Sequence, residues 1–266
     1  MRHNSIFLGG IILLVGAALL GGNLLGMNIW PFLIPAILIF AGVWLLVMSR
    51  ISPKSLEPEQ ATIPLDGAAR AEVRIRHGAG RLSITGGAGP QAVASGTFSG
   101  GLSHRENRRG DTLDVEMRIP DDLWFRGGGV WFFGAWTPII WDVRLNESIP
   151  LVVDLETGAG ENRIDLSTVK AQEIRLKTGA SSSELTLPSN AGRTRVKISS
   201  GAAAVIVRIP DGVAANIRIQ SGLAGIKIDE RRFPRSGNGY TSPDYTQADN
   251  VAEIEVETGV GSIEIR

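Results

Sequence analysis

Two strings in this chain carry residue types suited to acyl-transfer chemistry. Ser167-Thr168-Val169-Lys170 has the S-x-x-K spacing that sets a serine hydroxyl beside a lysine amine, and Lys177-Thr178-Gly179 has the K-T-G order that accompanies it. A working site of that kind opens a helix with the serine and brings the K-T-G strand in much later in the chain. Here the two strings are almost adjacent and the second coincides with a repeated turn, so no active site is expected. Gly78-Ala79-Gly80 and Gly158-Ala159-Gly160 supply half of a dinucleotide-binding loop without the third glycine or the following helix. His3, His77 and His104 stand too far apart to suggest metal ligation. Asp154, Glu156, Glu161 and Asp165 could line a groove or simply face solvent from strand positions, and Asn146-Glu147-Ser148 fits a glycosylation sequon that has meaning only outside the cytosol. No catalytic residue, cofactor-binding residue or metal ligand is assigned, and the chain is read as a non-enzyme.

The elements around these strings are more informative. One phrase is written six times, with its corner at Gly78, Gly158, Gly179, Gly201, Gly222 and Gly259. Five and three residues before each corner stand aliphatic pairs: Val73/Ile75, Val153/Leu155, Ile174/Leu176, Val196/Ile198, Ile217/Ile219 and Ile254/Val256. Apolar alternation resumes at +4 and +6 in four copies and at +6 and +8 in Ile164/Leu166 and Leu185/Leu187. Alternation predicts strands with one buried face. The parity changes across the glycine, so the chain breaks register there, with a positive φ or strained geometry that glycine tolerates. The central four corners recur every 21 or 22 residues, which predicts an all-β domain built as a β-solenoid, like a single-stranded β-helix of about 21-residue coils, each stacked on its sequence neighbour. A β-sandwich of hairpins is the alternative. Leu187-Pro188 and Ile209-Pro210 repeat one strand stop.

Residues 66–266 make up this domain, with residues 51–65 as a Pro- and Glu-containing linker before it. Two insertions interrupt the repeat. The segment 121–141 holds Trp124, Phe125, Trp131, Phe132, Phe133, Trp136 and Trp141. It reads either as an aromatic loop touching membrane or partner, or as a hairpin hiding the apolar end of the stack. The segment 229–250 is polar, with Arg231, Arg232 and Arg235, and reads as a solvated loop; weak attraction to anionic lipid is the other reading.

Residues 1–50 are a different material. Ile6–Leu25 and Ile29–Met48 are uncharged and each about 20 residues long, enough to cross a hydrocarbon core of ~30 Å as helix. They predict a two-helix transmembrane hairpin, a multi-pass anchor in the cell membrane, whose glycines allow close helix approach. Arg2, Arg50 and Lys54 flank the hairpin and the turn has no charge, so both termini and the β-domain are expected in the cytoplasm. The chain has 27 basic and 27 acidic residues and no cysteine. Balanced charge gives no electrostatic footprint for nucleic acid, and the absence of cysteine decides no compartment.

The string FLGGIILLVGAALLGGNLLGMNIWPFLIPAILIFAGVWLL resembles the paired-helix membrane region of LiaF/LiaI-like bacterial proteins. NIRIQSGLAGIKID and AEIEVETGVGSIEIR resemble the cell-envelope stress response domain called toast-rack, and the related adhesin-head β-domains. The resemblance implies a membrane-anchored modulator that contacts the lipid bilayer and restrains a sensor histidine kinase or another membrane protein. No functional residue is carried over, because the matching positions are turn glycines and core aliphatics. Homo-oligomers are compatible with it. An adhesin-like surface or polymerising scaffold remains a second reading, and a solenoid enzyme acting on polysaccharide a third.

Overall fold

A computed structural model describes residues 58–120 and 139–266. The expected hairpin, residues 51–57 of the expected linker, and Trp124, Phe125, Trp131, Phe132, Phe133 and Trp136 lie outside the described residues.

Five long strands after the second corner's start run β7 (Leu151–Asp165), β8 (Ala171–Thr186), β9 (Arg193–Arg208), β10 (Val213–Ile228) and β13 (Asn250–Ile265), and β2 (Arg70–Gly86) precedes them. These strands pair with one another in parallel: Val73 lies opposite Val153, Val153 opposite Ile174, and Ile174 opposite Val196. Each strand must nevertheless fold back on itself. An extended 15-residue strand is about 50 Å long, whereas the residues joining Asp165 to Ala171 span only about 20 Å. The chain therefore turns at its corner glycine, and each rung has two arms facing one another. Val153 and Leu155 point inward from the first arm of β7 and Ile164 from the second, all essentially without exposure. The parity change read in the sequence is this fold.

Five of the six corner glycines, all but Gly78, owe their place to packing rather than to torsion. None has a positive φ; that geometry falls two residues later, at Gly80, Gly160 and Gly261. A Cβ on Gly158 would stand 2.4 Å from the Gly78 carbonyl oxygen, one on Gly179 2.7 Å from that of Gly158, and one on Gly222 2.8 Å from that of Gly259. Backbones touch at the corner, and only glycine permits it.

A seventh rung is split. β5 (Thr112–Arg118) pairs parallel with the first arm of β2, Val115 opposite Val73 and Met117 opposite Ile75. β6 (Ile139–Leu145) pairs parallel with the second arm, Trp141 opposite Leu82 and Val143 opposite Ile84. Residues 119–138 separate its two halves in the sequence. Beyond it the arms are covered separately: β4 (Ser103–Arg109) lies antiparallel on β5, while β3 (Ala92–Ser99) and then β1 (Pro58–Pro64) extend from β6.

Four expectations are corrected. Residues 58–64 of the expected linker form β1, paired antiparallel from Pro58 opposite Ser99 to Pro64 opposite Ala92. Trp141 is no contact residue: it is 0% exposed and packs edge-on against Phe98 and His77, at 5.0 and 5.5 Å between ring centres. The segment 229–250 is no plain loop, because β11 (Arg235–Ser236) and β12 (Gly239–Thr241) form a small hairpin within it and β12 pairs with the first arm of β10. Phe233 is buried there beneath Arg232, whose guanidinium donates to the carbonyls of Ile209 and Pro210 at 2.8 and 3.0 Å. Finally, sequence order and stacking order part company: β2 lies between β7 and the split rung that follows it in the chain, and the same happens near the other end. β13 lies between β9 and β10, Ile254 opposite Val196 on one side and Ile217 on the other. All rungs share one apolar pattern, so the pattern cannot order them, and the long connection 229–249 lets the chain step back.

The corner contact makes a paired prediction. Gly158→Ala forces two backbones apart and lowers unfolding stability by about 2–3 kcal/mol. Gly78→Ala, whose Cβ would meet nothing nearer than the Ile119 side chain at 3.9 Å, changes it by less than about 0.5 kcal/mol. Denaturant midpoints of the two variants check this.

Candidate functional site

The residue before each corner glycine is hydroxylic in five rungs and histidine in the sixth, and of these His77, Thr157, Thr178 and Thr258 are buried. Thr157 donates to Thr178 at 3.0 Å across neighbouring rungs, and Ser200 donates to Thr258 at 2.8 Å. Asn162 Nδ2 donates to Thr157 at 3.1 Å and to Ser183 at 2.9 Å, and the Thr178, Ser181 and Ser183 hydroxyls continue the chain at 2.6 and 3.0 Å. Asn162 and Ser183 occupy the +4 position, which explains why apolar residues resume at +6 in these two rungs only. Thr157, Asn162, Thr178 and Ser183 are buried, and a buried polar group left unpaired is costly, so the network fixes the corner geometry.

His77 ends this row beside the split rung. It is 3% exposed, bonded to the Ile139 backbone, and edge-on to Trp141. Its Nε2 and the Trp141 Nε1 are both buried without a partner. Burial disfavours the imidazolium, and the Ile139 bond only partly offsets this, so the pKa drops from 6.5 to about 4.

The outward faces carry ion pairs that step across rungs. Arg74 reaches Asp154 at 3.2 Å and Glu72 at 3.0 Å; Arg76 reaches Glu116 at 3.0 Å and Glu156 at 3.3 Å; Lys177 meets Glu156 at 3.4 Å. Its bond to Asp154 holds the Arg74 guanidinium above its ordinary pKa, against a smaller opposing effect of burial. Glu161 pairs with Arg81 at 3.1 Å, and Asp165 accepts from the Ser167 amide. The acidic neighbourhood is therefore spent on basic neighbours and a turn. A shallow groove lies over β2, β5 and β4, with Glu72, Asp114 and Glu116 balancing Arg74, Arg105 and Arg109. Among the described residues no cluster of His, Cys, Asp and Glu could hold a metal.

The two acyl-transfer strings are also placed. Thr178 of K-T-G is an inward member of the hydroxyl row, and Lys177 points outward to Glu156. Ser167 sits in the return turn between β7 and β8, where its carbonyl accepts from Ser189, and Lys170 donates to the Ser148 carbonyl at 3.2 Å. Neither residue opens a helix. Asn146 of the sequon is 0% exposed, its amide bonded to the carbonyls of Gly89 and Ala92. Its side chain closes a turn and offers nothing for glycan attachment.

Because the folded pKa of His77 lies below its unfolded value, the unfolded chain binds the extra proton between the two. Stability is then complete above pH 6.5 and falls by about 3 kcal/mol as pH drops toward 4. His77→Thr, which installs the residue of the next rung, removes most of that slope. Thermal melting of both chains from pH 7 to 4 checks it.

Comparison with known proteins agrees with this geometry. The family described as the N-terminal domain of toast_rack, DUF2154, matches residues 52–208. A crystal structure of a proposed cell adhesion protein from Clostridium sporogenes shares the fold with a TM-score of 0.67 at 22% identity, covering 78% of this chain and 97% of that one. A proposed adhesin from Bacteroides fragilis has a TM-score of 0.28 at 7% identity over 80% of this chain and 98% of its own, too different to carry an argument. No curated protein matches the chain. Matched over more than half its length, the chain belongs to the toast-rack family.

Proposed function

We propose that the protein is a non-enzymatic, membrane-anchored scaffold of the LiaF type, which modulates cell-envelope stress signalling by holding a rigid β-stack beside a sensor histidine kinase or another membrane protein. The observation that carries this reading is the outward face of the stack. Its charged side chains are aligned across rungs by pairs such as Arg76–Glu156–Lys177, so it offers a regular pattern for recognition. Exposed pairs of this kind contribute little stability, about 0–1 kcal/mol each. The family supports a scaffold role, and the paired apolar stretches at residues 6–25 and 29–48 support the anchor. The basic flanks favour a cytoplasmic stack.

An adhesin-like surface scaffold is the second reading, favoured by the fold shared with the Clostridium sporogenes protein. A reporter active only in the cytosol, fused after Arg266, separates the two. Activity is expected; silence, with activity of an external reporter instead, moves the stack outside and removes the signalling reading. Deleting residues 58–266 is further expected to raise the basal output of an envelope-stress reporter, and unchanged output overturns the restraint.

The remaining aromatic residues of the insertion, Trp124, Phe125, Trp131, Phe132, Phe133 and Trp136, are proposed as its lipid or partner contact. Deletion of 124–136 is expected to release a linker-cleaved domain from liposomes, and equal binding by both forms counts against lipid contact.

A further inference from the structure

The stack has four terminal arms, and three are guarded. At one end β1 begins and ends in proline, Pro58 and Pro64, and β4 carries His104, Arg105, Glu106, Arg108 and Arg109 along an exposed edge. At the other end the first arm of β10 is covered by β12, with Asn216 opposite Thr241 and Ile217 opposite Tyr240. Proline, charge and a covering hairpin are the ordinary means of keeping a sheet edge from pairing. The second arm of β10, residues 223–228, has no proline and no covering hairpin, and a single charged residue, Lys227. Among the described residues its outer edge has no partner strand, since β10 pairs only with β13 and β12. Leu223 is 82% exposed and Ile226 44%, while Ile263, the residue opposite Ile226 one rung inward, is 1% exposed.

We infer that this arm is a self-association edge, where the second arm of β10 pairs antiparallel with the same arm of a second copy. Charge favours a copy of itself. Lys227 is the one charged residue of the arm and is already neutralised by Glu264 at 3.3 Å, so two arms meet without repulsion. The guarded edges at the far end exclude head-to-tail stacking, which leaves a two-fold contact. Side-chain size selects the register. With Gly225 opposite the partner's Gly225, Ala224 lies opposite the partner's Ile226, and Leu223 under the aliphatic stem of the partner's Lys227. Inward residues of the two second arms meet one another, while β12 keeps the first arms covered. Short strands of this length bury only several hundred Å², below the roughly 1,200 Å² of a stable complex, so the pair forms where copies are concentrated.

The chain lacks cysteine, which makes disulfide trapping clean. A Cβ at Gly225 meets nothing within 4 Å and needs no unusual φ, so Gly225→Cys folds. In oxidised membranes holding the full chain, Gly225→Cys is expected to form a disulfide dimer at least about tenfold faster than Gln60→Cys on β1. Co-expressed Leu223→Cys and Lys227→Cys chains are expected to cross-link to each other faster than either does to itself. Equal rates for Gly225→Cys and Gln60→Cys overturn the proposal. So does an adduct of Gly225→Cys whose mass is not twice that of the chain, which assigns the edge to another protein's strand, and so does fastest self-linking by Lys227→Cys, which breaks the register.

Discussion

Backbone contact at the corners is the constraint on which the rest of the domain depends. Gly158 touches Gly78, Gly179 touches Gly158, and Gly259 touches both Gly201 and Gly222 through carbonyl oxygens that leave no room for a Cβ. At that spacing the arms on either side of the corner stay in parallel register, and register fixes which side chains face inward. The aliphatic rows, the hydroxyl row and the outward ion pairs all inherit their alignment from it. Parallel pairing ordinarily requires a long crossover; here the fold at the corner returns the chain within a few residues.

Polar groups then refine what the apolar rows begin. The interior of a narrow two-armed coil has little depth, so the side chains nearest the corner must satisfy one another. Thr157, Asn162, Thr178, Ser181 and Ser183 do so as a connected set over two rungs. His77 and Trp141 end that row with two unpaired ring nitrogens, beside the split rung. Two of the three buried side-chain atoms without a partner among the described residues thus lie where the regular repeat stops.

Much of this was legible in the sequence, for identifiable reasons. Alternating aliphatics at fixed distance from a glycine reveal the arms and the period, and the parity change reveals the fold within each strand. The seventh rung was missed because 119–138 separates Val115/Met117 from Trp141/Val143, so no corner glycine marks it. Trp141 was grouped with the other aromatic residues of the insertion by proximity, although its alternation with Val143 and Leu145 already has the period of a buried strand. A close approach between rungs leaves the same residue as a positive φ does, so the sequence does not tell the two roles of glycine apart. The shift to +6 in two rungs was visible, but only the bonds of Asn162 and Ser183 give its cause. The order of β13 and β10 was beyond reach, since equivalent rungs compete for the same neighbours and nothing local distinguishes them.

That exchange of order bears on synthesis. A ladder laid down in sequence could zip up one step at a time behind the ribosome. Here Asn250–Ile265, made after both of its neighbours, takes an interior place between them. Its two interfaces can close only once it has been made. Until then the nascent chain must keep a strand-sized gap open, or let β9 and β10 meet and later part to admit it.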